Sequence, residues 1–257
     1  LKISIITVNL NNLTGLKQTT ESVLAQSSKN FEHLIIDGNS TDGSKQYIES
    51  ISDKLGYWQS KNDLGIYDAM NTGIKHATGE YLIFLNSGDI FYNNDVIKNV
   101  MELLVKDIVY GDIEIVDRDK KYVHVTPTVL SFGHFVNNNL PHQSAFIKRE
   151  LFSTYGLYNP ELKICADWTF FLDAVFSYNA SYIHIPLTIS TFKTDGVSSL
   201  AENSQVIAVE RNSHLINKYS AFLSDFRTNE PMIAKYKALK NSRMIKILSF
   251  FFKQLRF

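Results

Sequence analysis

Residues 81–85 (YLIFL), set between a helix-patterned segment and the polar turn Asn86, Ser87, Gly88, Asp89, constrain the fold more than any other stretch. An unbroken apolar run of that length marks a strand covered on both faces, which is what a parallel sheet between helical layers requires. In open α/β sheets, ligands gather beyond the carboxyl ends of such strands. The turn has two readings: a cap for a following helix, or a carboxylate site for a hard divalent cation that shares oxygen ligands with phosphates.

Read from its start, the chain alternates strand and helix. Residues 3–8 (ISIITV) form a buried-strand run, followed by the polar turn Asn9, Leu10, Asn11, Asn12 and a helix over 16–26 with Leu16, Thr20, Val23 and Leu24 on one face. A second strand over 31–36 ends in DGNSTDGS, a turn and helix start, since Ser and Asp cap free N–H groups and Gly tolerates positive φ. Tyr57 and Trp58 fit a short strand, 62–65 a turn, and 66–77 a helix with Ile66, Met70, Ile74 and Ala77 inward. Repeated βα units imply right-handed crossovers, which bring the strand ends near Val8, Asp37 and Asp89 to one edge. Beyond the apolar run the pattern gives a helix over 95–105, strands at 107–116 and 122–126 as a hairpin, and a loop over 132–139. An apolar stretch at 145–147, a short helix over 150–155, a loop over 159–166, a helix over 168–176 and a last strand over 182–185 follow. A polar loop over 194–198 then leads to a helix over 202–219.

Asp167 stands between Ala166 and Trp168 at the start of a predicted helix. It is either an N-cap or a general base, a carboxylate beside an aromatic wall where desolvation raises its proton affinity. His142, after Pro141, is either a surface residue or a phosphate or metal contact. The single cysteine, Cys165, has no base partner and no internal disulfide to make, which fits a reducing compartment. No Gly-rich phosphate loop follows the first strand, which argues against nicotinamide enzymes and P-loop kinases.

Formal net charge is zero over 257 residues, which argues against a general nucleic-acid binder, but the charge is uneven. From Lys235 onward stand Lys237, Lys240, Arg243, Lys246, Lys253 and Arg256 with no acidic residue, interleaved with Leu239, Met244, Ile245, Ile247, Leu248, Phe250, Phe251, Phe252, Leu255 and Phe257. The run 247–252 is too short to span a bilayer, whereas a basic amphipathic helix suits an anionic membrane surface. The competing reading is a helix that packs on the domain or makes an oligomer contact. No charged region with an apolar core precedes the first strand, so the expected location is cytoplasmic, peripheral on the inner face of the cell membrane.

Taken in order, ISIITVNLNN, FEHLIIDGNSTDGS, GIYDAMNTGIKHATGEYLIFLNSGD, PHQSAFIKRELF, CADWTFFL and DGVSS make residues 2–200 resemble glycosyltransferase family 2, especially the bacterial members that build surface polysaccharides. The resemblance implies an α/β GT-A fold: a Rossmann-like, mostly parallel central sheet flanked by helices. Residues 1–200 would be the transferase domain, with a nucleotide-binding half (1–116) and an acceptor half (117–200), and 201–257 C-terminal helices. It implies an inverting, metal-dependent transfer of a sugar from a nucleotide-diphosphate donor to an acceptor hydroxyl, with Mn²⁺ or Mg²⁺ as cofactor and a lipid-linked saccharide as acceptor. By position, Val8, Asn9 and Leu10 would lie under the base, Asp37 and Asp68 on base or ribose, Asn86 and Ser87 at the donor, and Asp89 on the metal. Asp167 would be the base, His142 a diphosphate or acceptor contact, and Ser198 part of a loop closing over the donor. The chain departs from the family pattern in three places. Gly38 stands where a second, base-reading aspartate is common, Leu10 where an aromatic is frequent, and Asn86 and Gly88 where aspartates are common at the metal turn. A sugar-nucleotide pyrophosphorylase and a non-catalytic nucleotide-sugar or carbohydrate-binding module are the alternatives.

Overall fold

The structure, a computed structural model, describes residues 2–118, 120–194 and 201–242. Its strands are β1 (Ile3–Asn9), β2 (Phe31–Asp37), β3 (Tyr57–Ser60), β4 (Tyr81–Phe84), β5 (Ile90–Phe91), β6 (Ile108–Asp117), β7 (Lys120–His124), β8 (Ala145–Lys148) and β9 (Tyr182–Lys193). Its helices are α1 (Leu13–Leu24), α2 (Ser44–Ser50), α3 (Ile66–His76), α4 (Val96–Val100), α5 (Phe132–Asn137), α6 (Glu150–Tyr155), α7 (Ala166–Phe176) and α8 (Ser204–Asn241). Among the described residues the strands form one nine-stranded sheet in the order β3-β2-β1-β4-β8-β6-β9-β5, with β7 paired to β6.

The expected α/β sheet is present, and it is mixed. β3, β2, β1 and β4 run parallel, as the βα repeats require. β8 then enters antiparallel between β4 and β6, while β9 returns parallel to β6. β1 and β4 are buried along their whole length, and Ile3, Ile5, Tyr81, Ile83 and Leu85 share one apolar cluster with Val109 and Phe146. The parallel register aligns Asn9 with Asp37 and Ile6 with Phe84, so the polar residues after these strands emerge at one edge.

Several elements differ from their sequence reading. Residues 132–137 form α5 rather than a loop: the Ser131 hydroxyl caps it by accepting the His134 N–H at 3.1 Å, and Phe135 is buried. β9 extends well past residue 185, through Pro186, because a register shift against β6 absorbs the irregularity between Tyr110 and Ile113. No helix starts at the 86–89 turn; β5 follows it, pairing with β9. The helix expected over 202–219 breaks at Tyr219, whose dihedrals are non-helical (φ −127°, ψ 28°), and a second helical stretch follows this kink to Asn241, the two being labelled together as α8. The chain divides into two compact units, Leu1–Arg211 and Asn212–Phe257. No described helix is long and apolar enough to cross a membrane.

Candidate active site

At the edge where β1, β2 and β4 end, a buried carboxylate organises the backbone. Asp37 is fully buried, and its Oδ1 accepts the Asn9 amide N–H (2.7 Å) and the Ser40 hydroxyl (2.6 Å). Its Oδ2 accepts the Ser40 N–H (3.0 Å) and the Ser60 hydroxyl (2.7 Å). These donors hold the carboxylate, so Asp37 pins the turn from inside. Asn9 carries the same wiring onward, its Oδ1 accepting the Ser87 hydroxyl at 2.7 Å. Val8 and Asn9 are buried, whereas Leu10 is 62% exposed.

The 86–89 turn is braced from α1. Asn12, the α1 N-cap, donates to the Ser87 carbonyl (3.0 Å), and the Thr19 hydroxyl donates to the Asp89 carbonyl (2.7 Å) while accepting the Gly88 N–H (2.9 Å). Gly88 sits at φ +110°, a conformation that favours glycine. The Asp89 carboxylate accepts the Asn86 N–H at 3.0 Å and is buried.

From this turn a line of polar groups crosses to α7. The Asn86 amide nitrogen lies 3.4 Å from His142 Nε2, and His142 Nδ1 lies 2.9 Å from Asp167 Oδ2. The Tyr67 hydroxyl of α3 reaches Asp167 Oδ1 at 3.0 Å and also donates to the Ile164 carbonyl. Asn86 Oδ1 is buried with no hydrogen-bond partner. α7 begins at Ala166 with Cys165 as N-cap, so Asp167 sits in the first turn and spends its carboxylate on His142 and Tyr67 rather than on a cap.

The electrostatics of the line are coherent. Burial alone lowers the His142 pKa, but its hydrogen bond to Asp167 and the Asp167 and Asp89 charges outweigh that, and the net shift is upward. Burial likewise raises Asp167, yet His142, the Tyr67 hydroxyl and the Trp168 N–H hold it below the usual carboxylate range. Both shifts favour an imidazolium–carboxylate pair. Burial, reinforced by the Asp167 charge, pushes the Tyr67 phenol well above its usual value, so it stays a proton donor. Cys165 is buried and free, its thiol pushed up to about 12 chiefly by burial, as suits a passive residue.

A second pair of acids stands in the turn before α3 and in its first turn. Asp68 accepts the Leu64 N–H at 3.1 Å, and Asp63 accepts the Gly65 N–H at 3.0 Å. A Cβ at position 38 would come within 2.8 Å of Asp63 Oδ2 and 3.1 Å of Leu10 Cδ1. The space beside Gly38 is therefore filled by a carboxylate from another loop. Burial, with smaller effects of the Asp68 and Asp37 charges, raises the Asp63 carboxyl above its usual range despite the Gly65 N–H. The sequence signal for Asp63 was an acid in the polar turn before α3, which by itself does not separate it from Asp68. Ser198 lies outside the described residues. Among those described, no three His, Cys, Asp or Glu groups cluster as a metal site.

The family model described as glycosyl transferase family 2 matches residues 4–155. An uncharacterized glycosyltransferase of Mycobacterium tuberculosis is 34% identical over 227 residues, covering 84% of this chain and 85% of that protein. A PGL/p-HBAD biosynthesis glycosyltransferase of Mycobacterium bovis is 33% identical over 174 residues, 65% of this chain and 67% of that one. Among solved structures, S. aureus TarS residues 1–349 in complex with UDP-GlcNAc superposes with a TM-score of 0.66 at 18% identity, covering 84% of this chain and 67% of that one. The mannosyltransferase PcManGT from Pyrobaculum calidifontis, in complex with GDP-Man and Mn²⁺, gives 0.57 at 15% identity over 97% and 83%. At these identities the structural likenesses speak for the fold alone.

Proposed function

The chain belongs to glycosyl transferase family 2, and on that premise we propose that it moves a sugar from a nucleotide-diphosphate donor to an acceptor hydroxyl with inversion, Asp167 serving as general base. The pyrophosphorylase and binding-module readings lose their footing with family membership. The observation that supports this mechanism is the polar line Tyr67, Asp167, His142, Asn86, which ends on the Asp89 turn at the carboxyl ends of the parallel strands. In the transfer, the acceptor oxygen attacks the anomeric carbon, the bond to the diphosphate breaks with its electron pair, and the acceptor proton passes to Asp167. The reacting sugar carries oxocarbenium character, which nearby carboxylates stabilise. His142, biased toward its cation, faces the growing charge of the leaving diphosphate.

The donor set at the turn fits a divalent cation only in part. Asp89 is an oxygen ligand of the right chemistry and the donor's phosphates would have to supply most of the rest, since a cationic His142 needs the Asn86 amide oxygen, 3.4 Å away after an amide flip, as acceptor for its Nε2–H. Bound there, Mn²⁺ or Mg²⁺ would act as Lewis acid and template for the leaving group. For the base we assign Asp63 the place that a second aspartate after β2 takes elsewhere in the family, with Leu10 and Asp68 beside it. That structural neighbours are named as complexes with UDP-GlcNAc and GDP-Man supports a nucleotide-sugar donor as a class. A lipid-linked acceptor and peripheral attachment to the membrane rest on the basic and apolar composition of residues 235–257.

Asp167→Asn tests the reading. Donor binding, followed by thermal shift with a panel of nucleotide sugars, should persist, while transfer falls by about 10²- to 10⁴-fold, the usual cost of losing a positioned base. Normal turnover in that variant would refute the role. Asp89→Ala should weaken donor binding in the presence of Mn²⁺ more than in its absence, and an unchanged metal dependence counts against the cation site.

A further inference from the structure

The segment that leads into α7 is held by a side chain distant in sequence. Glu210, in the early turns of α8 and within the first compact unit, accepts three consecutive backbone N–H groups: Lys163 at 2.6 Å through Oε1, and Ile164 at 3.2 Å and Cys165 at 2.9 Å through Oε2. Cys165 is 2% exposed, so without this carboxylate its amide would lie in the interior without its acceptor, a costly state. The next residue, Arg211, stacks its guanidinium 5.0 Å from the centre of the Trp168 ring. Trp168 is fixed from the other side, its indole N–H shared between the Phe135 and Asn138 carbonyls. Neighbouring α8 residues therefore grip the backbone just before Asp167 and the ring just after it.

The grip reaches the reacting carboxylate by a second route. The Ile164 carbonyl accepts the Tyr67 hydroxyl, which also reaches Asp167 Oδ1. A phenol has one proton to give, so the position of the Ile164 peptide sets how that proton is divided between the carbonyl and Asp167.

We propose that Glu210 is a positioning residue for sugar transfer, fixing the pose of Asp167 through the 163–165 backbone and through Tyr67. This rests on the reading of Asp167 as the base. Glu210 touches no reacting atom in this scheme, and its effect belongs to the chemical step rather than to donor binding.

The experiment compares Glu210→Gln and Glu210→Ala with Asp167→Asn and with the exposed Val209→Ala as control, on the full chain with a nucleotide sugar found active in the donor panel. For Glu210→Gln we expect kcat to fall about 10- to 100-fold, in line with the cost of a slightly misplaced catalytic group. Donor KM and the nucleotide-induced thermal shift should stay within about twofold of the parent. Amide hydrogen exchange over 163–165 should quicken, while the β1 and β4 amides keep their protection. Val209→Ala should match the parent. If Asp167→Asn is inactive but both Glu210 variants turn over normally, the positioning role is overturned and the base assignment stands. Should Asp167→Asn turn over normally, the base assignment falls and takes the positioning role with it. If the Glu210 variants lose donor binding and kcat together, Glu210 is a general brace and the proposal is overturned; the milder Glu210→Gln keeps that reading accessible even where Glu210→Ala unfolds.

Discussion

Gly38 and Asp63 constrain one another, because a Cβ at 38 would lie 2.8 Å from the Asp63 carboxylate. Gly38→Ala should therefore displace Asp63 and weaken donor binding by about tenfold, the scale of one lost hydrogen bond to a charged group. The double variant Gly38→Asp with Asp63→Ala should recover much of that affinity, since it returns the carboxylate to the strand end. Calorimetric titration with the nucleoside diphosphate reads both; equal affinity in the Gly38→Ala variant would exclude Asp63 as a nucleotide contact. His142 carries a separate, pH-dependent prediction. Its pKa is raised above the ordinary 6.5 in the folded state, so the stability it contributes is full below 6.5 and is lost as pH rises through the folded value. Asp167, lowered from 3.8, contributes stability that is present above 3.8 and lost as pH falls through its folded value. His142→Gln should accordingly lose less melting temperature than the parent as pH rises above 6.5, and parallel curves would deny the pair its charge. At this scale the sequence was partly legible. Asp167 and His142 were candidates as an acid at a helix start and a histidine after Pro141. The burial of Asp37 under four donors and the proximity of Asp63 to Gly38 are tertiary facts that no local pattern carries.

α3 is the element through which the sheet positions the site, since it carries both Tyr67 and Asp68. It approaches β1 at Gly73, where a Cβ would stand 2.5 Å from Ile6 Cγ2. Ile6 is fully buried and its branched side chain has little rotamer freedom, so the neighbour cannot yield cheaply. Alanine is the better helix former by about 1 kcal/mol, but overpacking a tight core costs about 1–3 kcal/mol, and the second effect should win. Gly73→Ala is thus expected to lower unfolding free energy in urea and to reduce kcat, because α3 must tilt and carry Tyr67 off Asp167. Full stability with full turnover would show that the approach has slack. β1 and β4 were readable because they are unbroken apolar runs buried on both faces, and α3 because its apolar residues keep the helical period. α5 escaped notice because six residues give too little periodicity, and β9 was cut short because Pro186 and the register shift interrupt its pattern while β6 keeps it paired.

For the molecule as a whole, net neutrality hides an uneven division of charge along the sequence. Residues 235–257 hold Lys235, Lys237, Lys240, Arg243, Lys246, Lys253 and Arg256 without an acid, and 243–257 lie outside the described residues. Within the described part of the second unit, Ile216, Phe222, Met232, Tyr236 and Leu239 are each more than half exposed, a scatter of apolar side chains along α8. Basic charge beside exposed apolar groups matches an anionic bilayer surface, where each Lys or Arg near the headgroups contributes about 1 kcal/mol and the attraction decays over about 8 Å at physiological salt. A protein held this way should sediment with vesicles containing phosphatidylglycerol but not with pure phosphatidylcholine vesicles. Raising salt toward about 1 M, where the screening length shrinks to about 3 Å, should release much of it. Changing Lys235, Lys237 and Lys240 together to Glu should cut vesicle binding by more than tenfold, since it removes three attractive charges and adds three repulsive ones. Transfer to a water-soluble acceptor should stay intact in that variant, because none of the three belongs to the polar line between Asp89 and Asp167. Binding to phosphatidylcholine and phosphatidylglycerol vesicles alike, untouched by salt, would point instead to apolar insertion. No binding to either would leave the second unit to contacts between protein chains, which light scattering across a concentration series would then detect.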